Sequence, residues 1–483
     1  MGAGEIGTDA SGNPSFPPGV AVMVRSLSAA VALQWAGAGA ILPLLPLYVK
    51  AHGGSDAVVG AVMAAYFAAA FVFQYASGRM SDRVGRVPLL IGGLLTYAAG
   101  SLLFLVPGPA ALDVVFRALQ GAGAGGAMVA ALAMLSHAAP LSFRGRATGR
   151  IYGAELGGLA VGPVIGSVAG VGAMKWFFVA AGAASVLAIG PVLVASRAAR
   201  QTAREADGPT AREADGPTAR EADGPPAREA DGPPAREADG AASADPGPIT
   251  AGLDAAPAAA GDWATGAATW PAGDLPAAGT GLPRGLAERA VWGALLASAT
   301  VGVTSGVYES CWTLLMTHHG AATWEVGVSW TLFALPFVLM SRPAGRLADH
   351  FDRRWIGVSA LIWTICFCAA YPFVPGVLLL MVLGIWESVG FSLALPATQS
   401  LLGEGTAPER HGHAQGLFAA SQTGTTALAA AAGGALFGVA PWVPFDAAAA
   451  CCAVIVVLVA VSWRRVPGRV RGEVPARVLP ADA

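Results

Sequence analysis

Charged residues are scarce in this 483-residue chain: 12% of it is Asp, Glu, Lys or Arg, where soluble domains carry about a quarter. With 54% hydrophobic residues and a mean hydropathy of +0.57, the chain is unsuited to a water-soluble globule. Lysine is nearly absent, at Lys50 and Lys175 alone. Cysteine is rare as well. Its five copies (Cys311, Cys366, Cys368, Cys451, Cys452) fall inside apolar runs, an odd count without metal-ligand spacing. They read as small core residues and not as disulfides or ligands, and no metal or other cofactor is expected. No glycine-rich loop closes on Lys-Ser or Lys-Thr, so ATP is not expected as the energy source. No nucleophile-and-base signature points to an enzyme; a net charge of -2 by itself says nothing about a nucleic-acid partner, and none is expected. The first 19 residues are polar and lack a basic segment leading into a short apolar one, so no cleaved signal peptide is expected.

What the chain does have is apolar runs long enough to span a bilayer, at about 20-48, 57-77, 88-106, 110-135, 148-171 and 174-195, then 288-316, 326-344, 356-373, 376-402, 413-438 and 441-463. Two sets of six imply an all-α membrane protein of twelve transmembrane helices in two six-helix bundles, 20-195 and 288-463. Arg79, Arg83, Arg86, Arg144, Arg146, Arg150, Arg342, Arg346, Arg353, Arg354, Arg464 and Arg465 all fall on one side of that topology. Short cytoplasmic loops collect basic residues, so both termini (1-19 and 464-483) and the central stretch are expected in the cytoplasm, on a protein of the plasma membrane. The central stretch, 196-287, holds five near-copies of an octapeptide, TAREADGP from Thr202, Thr210 and Thr218, PAREADGP from Pro226, and a truncated one from Pro234. It has almost nothing to bury, so it is expected to be a disordered linker.

After the second run stands Gly78-Arg79-Met80-Ser81-Asp82-Arg83-Val84-Gly85-Arg86-Val87. Gly345-Arg346-Leu347-Ala348-Asp349-His350-Phe351-Asp352-Arg353-Arg354 follows the eighth. The first resembles the G-x-x-x-D-R-x-G-R-[RK] loop of the major facilitator superfamily, with Val87 in place of the last basic residue. The second is a degraded copy, with His350 for its Arg and Asp352 for its second Gly. Glycine here allows close helix approach, and the charges can pair with carboxylates or helix ends. Gly78, Asp82, Arg83, Gly85, Arg86, Gly345, Asp349 and Arg353 thus form a candidate conformational latch. Helix 5 carries Gly149, Gly158, Gly162-Pro163 and Gly166, which resembles the superfamily's antiporter pattern except that Ser167 replaces its final Gly. Gly158, Gly162, Gly166 and Gly170 form an i+4 row suited to backbone-to-backbone packing, bent by Pro163.

Arg117, Gln120 and Gly121 resemble the superfamily's R-x-x-Q-G segment in helix 4, where Asp113 lies one turn from Arg117 and is its nearest candidate partner. Ionisable residues inside a membrane mark function by default. Glu155 in helix 5, Glu309 in helix 7 and Glu387 in helix 10 join Asp113 and Arg117 as proton-coupling candidates. The resemblance implies that helices 1, 4, 7 and 10 line a central cavity. Gln34, Trp35, Gln120, Tyr308, Trp312 and Trp386 would then furnish an aromatic, weakly polar wall suited to amphipathic or cationic organic molecules. His318-His319 and His411-x-His413 supply two metal ligands each without a third. The expectation is a monomeric, proton-coupled exporter of small hydrophobic or drug-like compounds working by alternating access. The alternatives are an uptake symporter or facilitator for a sugar, organic acid or other nutrient, and a non-transporting membrane sensor.

Overall fold

The computed structural model describes residues 16–206, 282–407 and 410–467. Within those spans the surroundings of residues 78, 79, 82, 141, 142, 145, 203–206, 337, 338 and 341–350 lie outside that description, as do most of the octapeptide repeats and both terminal tails. The described residues are helical, without a strand.

The first half runs α1 (Pro18–Ile41), α2 (Leu45–Ala51), α3 (Asp56–Val84), α4 (Arg86–Leu103), α5 (Ala111–Ala138), α6 (Leu141–Val168), α7 (Met174–Leu187) and α8 (Ile189–Ala206). The second half runs α9 (Arg284–His318), α10 (Thr323–His350), α11 (Arg353–Ala370), α12 (Val377–Glu404), α13 (His411–Phe437) and α14 (Val443–Trp463). Two expected single spans are interrupted. Pro43 and Pro46 break the first into α1 and α2. Pro191 leaves the carbonyl of Leu187 without its helical donor, which separates α7 from α8. Counted as six plus six, with α1–α2 and α7–α8 each one unit, the described helices give the expected twelve. The linker does not begin at 196: helix α8 continues to Ala206, carried by a run of Ala, Arg, Gln and Glu, all good helix formers. Likewise the second half begins at Arg284, four residues before the expected 288.

Among the described residues ten spans are long and apolar enough to cross a membrane. Helices α10 and α13 fall short of that measure, and α13 shows why. Its polar groups are spent on neighbouring helices: Ser421 Oγ donates to the Leu295 carbonyl at 3.0 Å and Gln415 Nε2 to Gln399 Oε1 at 2.6 Å. Exposed tryptophans ring both ends, Trp176, Trp324 and Trp442 at one and Trp355 at the other, where an amphipathic ring suits a membrane interface.

The halves repeat one plan. In the first, α1 packs on α6, α3 on α5 and α4 on α5; in the second, α9 packs on α13, α10 on α12 and α11 on α12. Small residues permit these contacts. A Cβ on Gly158 would lie 2.6 Å from the Ala32 carbonyl oxygen, and one on Gly162 would lie 2.6 Å from that of Ala36. Gly166 meets the backbone of Ala40, so these three glycines of α6 seat it directly on α1. Gly170 leaves that row: it lies past the helix end at φ +72°.

The halves meet along α3–α13 and α6–α10. The contacts cluster away from the arginine-bearing loops. A Cβ on Gly60 would sit 2.8 Å from Gly434 Cα, the Ser167 side chain fills the space beside Gly327, and Thr313 Oγ1 donates to the Pro43 carbonyl at 2.8 Å. Thr331 Oγ1 donates to the Ala160 carbonyl at 2.7 Å. Toward the arginine-bearing face the same helix α6 shows another row, Gly149, Gly153 and Gly157, where an added Cβ would meet nothing within 4 Å. The described conformation is therefore shut between the halves at the face opposite the arginines.

Candidate functional site

Two polar clusters lie inside this apolar frame, one within the second half and one where the halves face each other. Glu387, on α12, is 1% exposed. Its Oε1 accepts from the Tyr308 hydroxyl of α9 at 2.7 Å and its Oε2 from the Tyr371 hydroxyl at 2.5 Å. Tyr371 is presented by the three-residue 3-10 turn Tyr371–Phe373 that ends α11, and its ring stands edge-on to Trp312 at 4.9 Å. Trp312 is fixed in turn by its Nε1, which donates to Ser329 Oγ at 2.9 Å. Beside Glu387 these groups, with Trp330, Phe333 and Met381, line a cavity of about 40 Å³.

The second cluster centres on Arg117 of α5, 2% exposed. Its Nη1 donates to Gln120 Oε1 at 2.7 Å and its guanidinium stacks 4.4 Å from the centre of the Tyr66 ring, on α3. Gln120 Nε2 passes the chain on to Ser101 Oγ at 2.9 Å, and Ser101 donates to the Tyr97 carbonyl at 3.0 Å. Arg117 Nε has no partner. Across the boundary between halves Glu309 of α9 lies half-buried, its Oε2 also without a hydrogen-bond partner, within electrostatic reach of Arg117 and of Tyr66. Glu155 of α6, half-buried, also acts on Tyr66.

The expected pairing of Arg117 with Asp113 is corrected by this geometry. Stacking on Tyr66 and the short bond to Gln120 hold the guanidinium elsewhere, and the electrostatic partner of Asp113 is His52. The expected aromatic wall also divides. Tyr308 and Trp312 line the cavity by Glu387, whereas Gln34 and Trp35 belong to a cleft of the first half with Leu27, Leu94 and Met128. Trp386 joins neither: it is 56% exposed, and its carbonyl accepts from Trp363 Nε1 at 3.0 Å on the flank toward α11. One residue of offset on a helix is 100° of rotation, which parts it from Glu387.

At the arginine-bearing face α3 runs through Gly78, Asp82 and Arg83, and Gly85 caps α4 at φ +92°. In the second copy Gly345 and Asp349 lie on α10, and Arg353 forms an ion pair with Glu404 at the end of α12. Asp352 caps α11, accepting from the Arg354 backbone N–H at 3.0 Å, and Arg354 Nη1 reaches the Val466 carbonyl at 2.6 Å. Hydrogen bonds from Arg354 hold the Asp352 carboxyl below its ordinary range. Among the described residues no group of three potential metal ligands forms, and the ring centres of His318 and His319 lie 5.8 Å apart.

Sequence reasoning missed Tyr66, Tyr371, Ser329, Trp330 and Glu404. A tyrosine in a membrane run is an available signal for the first two, since its hydroxyl needs a partner when buried.

The family model described as Major Facilitator Superfamily matches residues 27–307 and 291–480. The inner membrane transport protein YajR of Escherichia coli (strain K12) is 34% identical over 165 residues, 33% of this chain and 36% of that protein. Multidrug resistance protein 2 of Bacillus subtilis (strain 168) is 30% identical over 159 residues, 33% of this chain and 40% of that protein. The matches thus span well under half the length of either relative. Among solved structures, a bacterial homologue of the human lysosomal transporter Spinster, crystallised inward-facing and occupied, aligns over 93% of this chain and 96% of its own. Its TM-score is 0.59 at 13% identity, a likeness of fold.

Proposed function

This chain belongs to the major facilitator superfamily, a membrane transporter and not an enzyme, and on that premise we propose that it exports small hydrophobic or drug-like organic compounds in exchange for protons. The observation that carries this reading is a pair of unmet groups on opposite halves: Arg117 Nε without an acceptor and Glu309 Oε2 without a donor, within electrostatic reach yet not hydrogen-bonded. A buried charge must be paired or neutralised. When Glu309 gives its proton to water, the new carboxylate attracts Arg117 across the boundary. Reloading removes that attraction and frees the halves to part. Proton and substrate thus favour opposite states, and each displaces the other.

Charge bias supports placing the arginine-bearing face in the cytoplasm, with both termini, in the plasma membrane. The closed contacts at Gly60–Gly434 and Gly327–Ser167 then mark a state open to the cytoplasm, from which an exporter loads. The latch role assigned to both loops calls for contacts between the halves; Arg353–Glu404, with both partners in the second half, instead ties its loop to the end of α12. The name of the Bacillus subtilis relative agrees with export of foreign compounds.

The test is flux in inverted membrane vesicles holding a proton gradient. Added compound releases protons with the wild-type protein, and Glu309→Gln abolishes that release. A Glu309→Gln variant coupling as the wild type does would refute Glu309 as the carrier.

A further inference from the structure

Tyr66 stands where the halves meet. It lies on α3, which packs on α5 within the first half and on α9 and α13 of the second. Glycine fixes its backbone: a Cβ on Gly121 would overlap the Tyr66 carbonyl, and one on Gly125, a turn further along α5, would sit 2.8 Å from the Ala70 carbonyl oxygen. Arg117 is one turn before Gly121, so this close approach of α3 and α5 sets the Tyr66 ring over the guanidinium, with Cζ 4.4 Å from the ring centre. Tyr66 is 7% exposed and Arg117 2%, and an aromatic face attracts a cation most strongly when both are desolvated. The ring still leaves Arg117 Nε without an acceptor. The groups whose charge bears on Tyr66 are Tyr97, Arg117, Glu155 and Glu309, one from each of α4, α5, α6 and α9.

We infer that Tyr66 is a positioning residue for the exchange: its ring face holds Arg117 within the first half until Glu309 ionises, which makes the ion pair across the halves conditional on that proton. Protonated Glu309 carries no charge to pull with, so the ring and the bond to Gln120 keep the guanidinium where it lies. Ionised, Glu309 adds a full charge, and attraction between charges reaches further than attraction to a ring face. A carboxylate in place of Tyr66 would hold Arg117 at all times, and an aliphatic side chain would not hold it at all.

This role rests on the export reading, but its test needs no transport. Purified full-length protein in lipid nanodiscs is melted at neutral pH as Arg117→Gln, Glu309→Gln and the double variant, in the wild type and again with Tyr66→Phe or Tyr66→Leu. In the wild type the two single losses of melting temperature are expected to add. Tyr66→Leu removes the ring face and lets the pair form, so the double variant there loses less than the summed singles, by about 2 °C or more. Tyr66→Phe keeps the face without the hydroxyl and restores additivity. A side chain that only fills space would lower every melt in Tyr66→Leu without coupling Arg117 to Glu309. Should Tyr66→Leu fail to fold, phenylalanine carrying successive ring fluorines at position 66 weakens the face at nearly constant size, and the coupling grows with each fluorine. Additivity in Tyr66→Leu, coupling indifferent to fluorination, or equal coupling in Tyr66→Phe and Tyr66→Leu overturns the inference and leaves export standing. The expected couplings in a protein whose vesicles show no compound-driven proton release would sink the export reading alone.

Discussion

Substituting Gly60 by Val tests whether the described closure is one of two states. In the closed arrangement a Cβ at position 60 would fall 2.8 Å from the Ala430 carbonyl oxygen, 2.8 Å from Gly434 Cα and 3.0 Å from the Ala431 carbonyl oxygen. All three are backbone atoms, which cannot swing aside as a side chain does, so helices α3 and α13 must move apart. Overpacking of this kind costs about 1–3 kcal/mol. Position 60 belongs to one half and all three contacted atoms to the other, so a state that parts the halves at this face escapes the whole cost. At 1.4 kcal/mol per factor of ten, the closed population falls by roughly five- to a hundredfold relative to the open one. Spin labels at Ser55 and Val439, both exposed at that face, report the change as a distance. The Gly60→Val distribution shifts to longer separations than the wild type in the absence of substrate. A folded, monodisperse Gly60→Val protein with an unchanged distribution refutes the reasoning, because the contact would then not be specific to one state.

Two glycines of the helix-5 pattern are expected to behave oppositely. Gly162→Val drives a side chain against the Ala36 carbonyl and the Ala40 amide inside one half, where no change of state relieves it, so melting temperature and yield fall. Gly149→Ala meets open space and gains about 1 kcal/mol of helix propensity, so the same melt is unchanged or raised. At the second loop, Asp352→Ala removes the cap of α11 and costs about 1 kcal/mol near neutral pH. Because bonds from Arg354 hold the folded carboxyl below its unfolded value, that contribution is complete above the ordinary Asp pKa of about 3.9 and disappears as pH falls through the lower folded one. The difference in melting temperature between wild type and Asp352→Ala is expected to be flat from pH 8 to 5 and to close only below about 4. A gap already narrowing at pH 6 would deny the ion pair its role.

Hydrophobic runs located the helices well because length and apolarity are what a bilayer requires of them. Their ends were less legible. Nothing in the hydropathy of the sixth run signals that α8 continues to Ala206, since the extension is polar and rests on local helix propensity. The individual acids were visible as costly exceptions in apolar segments, but their partners were not. Tyr308 and Glu387 are 79 residues apart, and spacing along one helix says nothing about a hydroxyl delivered by another. For the same reason the i+4 proximity of Asp113 to Arg117 misled: the aromatic face that captures the guanidinium belongs to α3.

Departures from the superfamily pattern prove as informative as matches to it. Gly85 and Asp352 hold the same place in the two loops, each capping the helix that follows. Gly85 adopts φ +92°, a conformation that penalises any side chain, so the first loop turns by backbone freedom. Asp352 sits at φ -66°, where a side chain is unstrained, and its carboxylate supplies the cap and the grip on Arg354. Two chemistries therefore build one turn, and exchanging them is not symmetric: Gly at 352 forfeits a cap, whereas Asp at 85 must also bear the strain. Ser167 argues alike. Standing where the pattern has its last Gly, it projects toward Gly327 of the opposite half, so the bulk missing from one helix face is supplied by the other. Val87, in place of a basic residue, packs against the core of its own half. The basic residues left to the first loop are its arginines, and among the described residues the second loop draws an ion pair with a carboxylate at a helix end, Arg353 with Glu404.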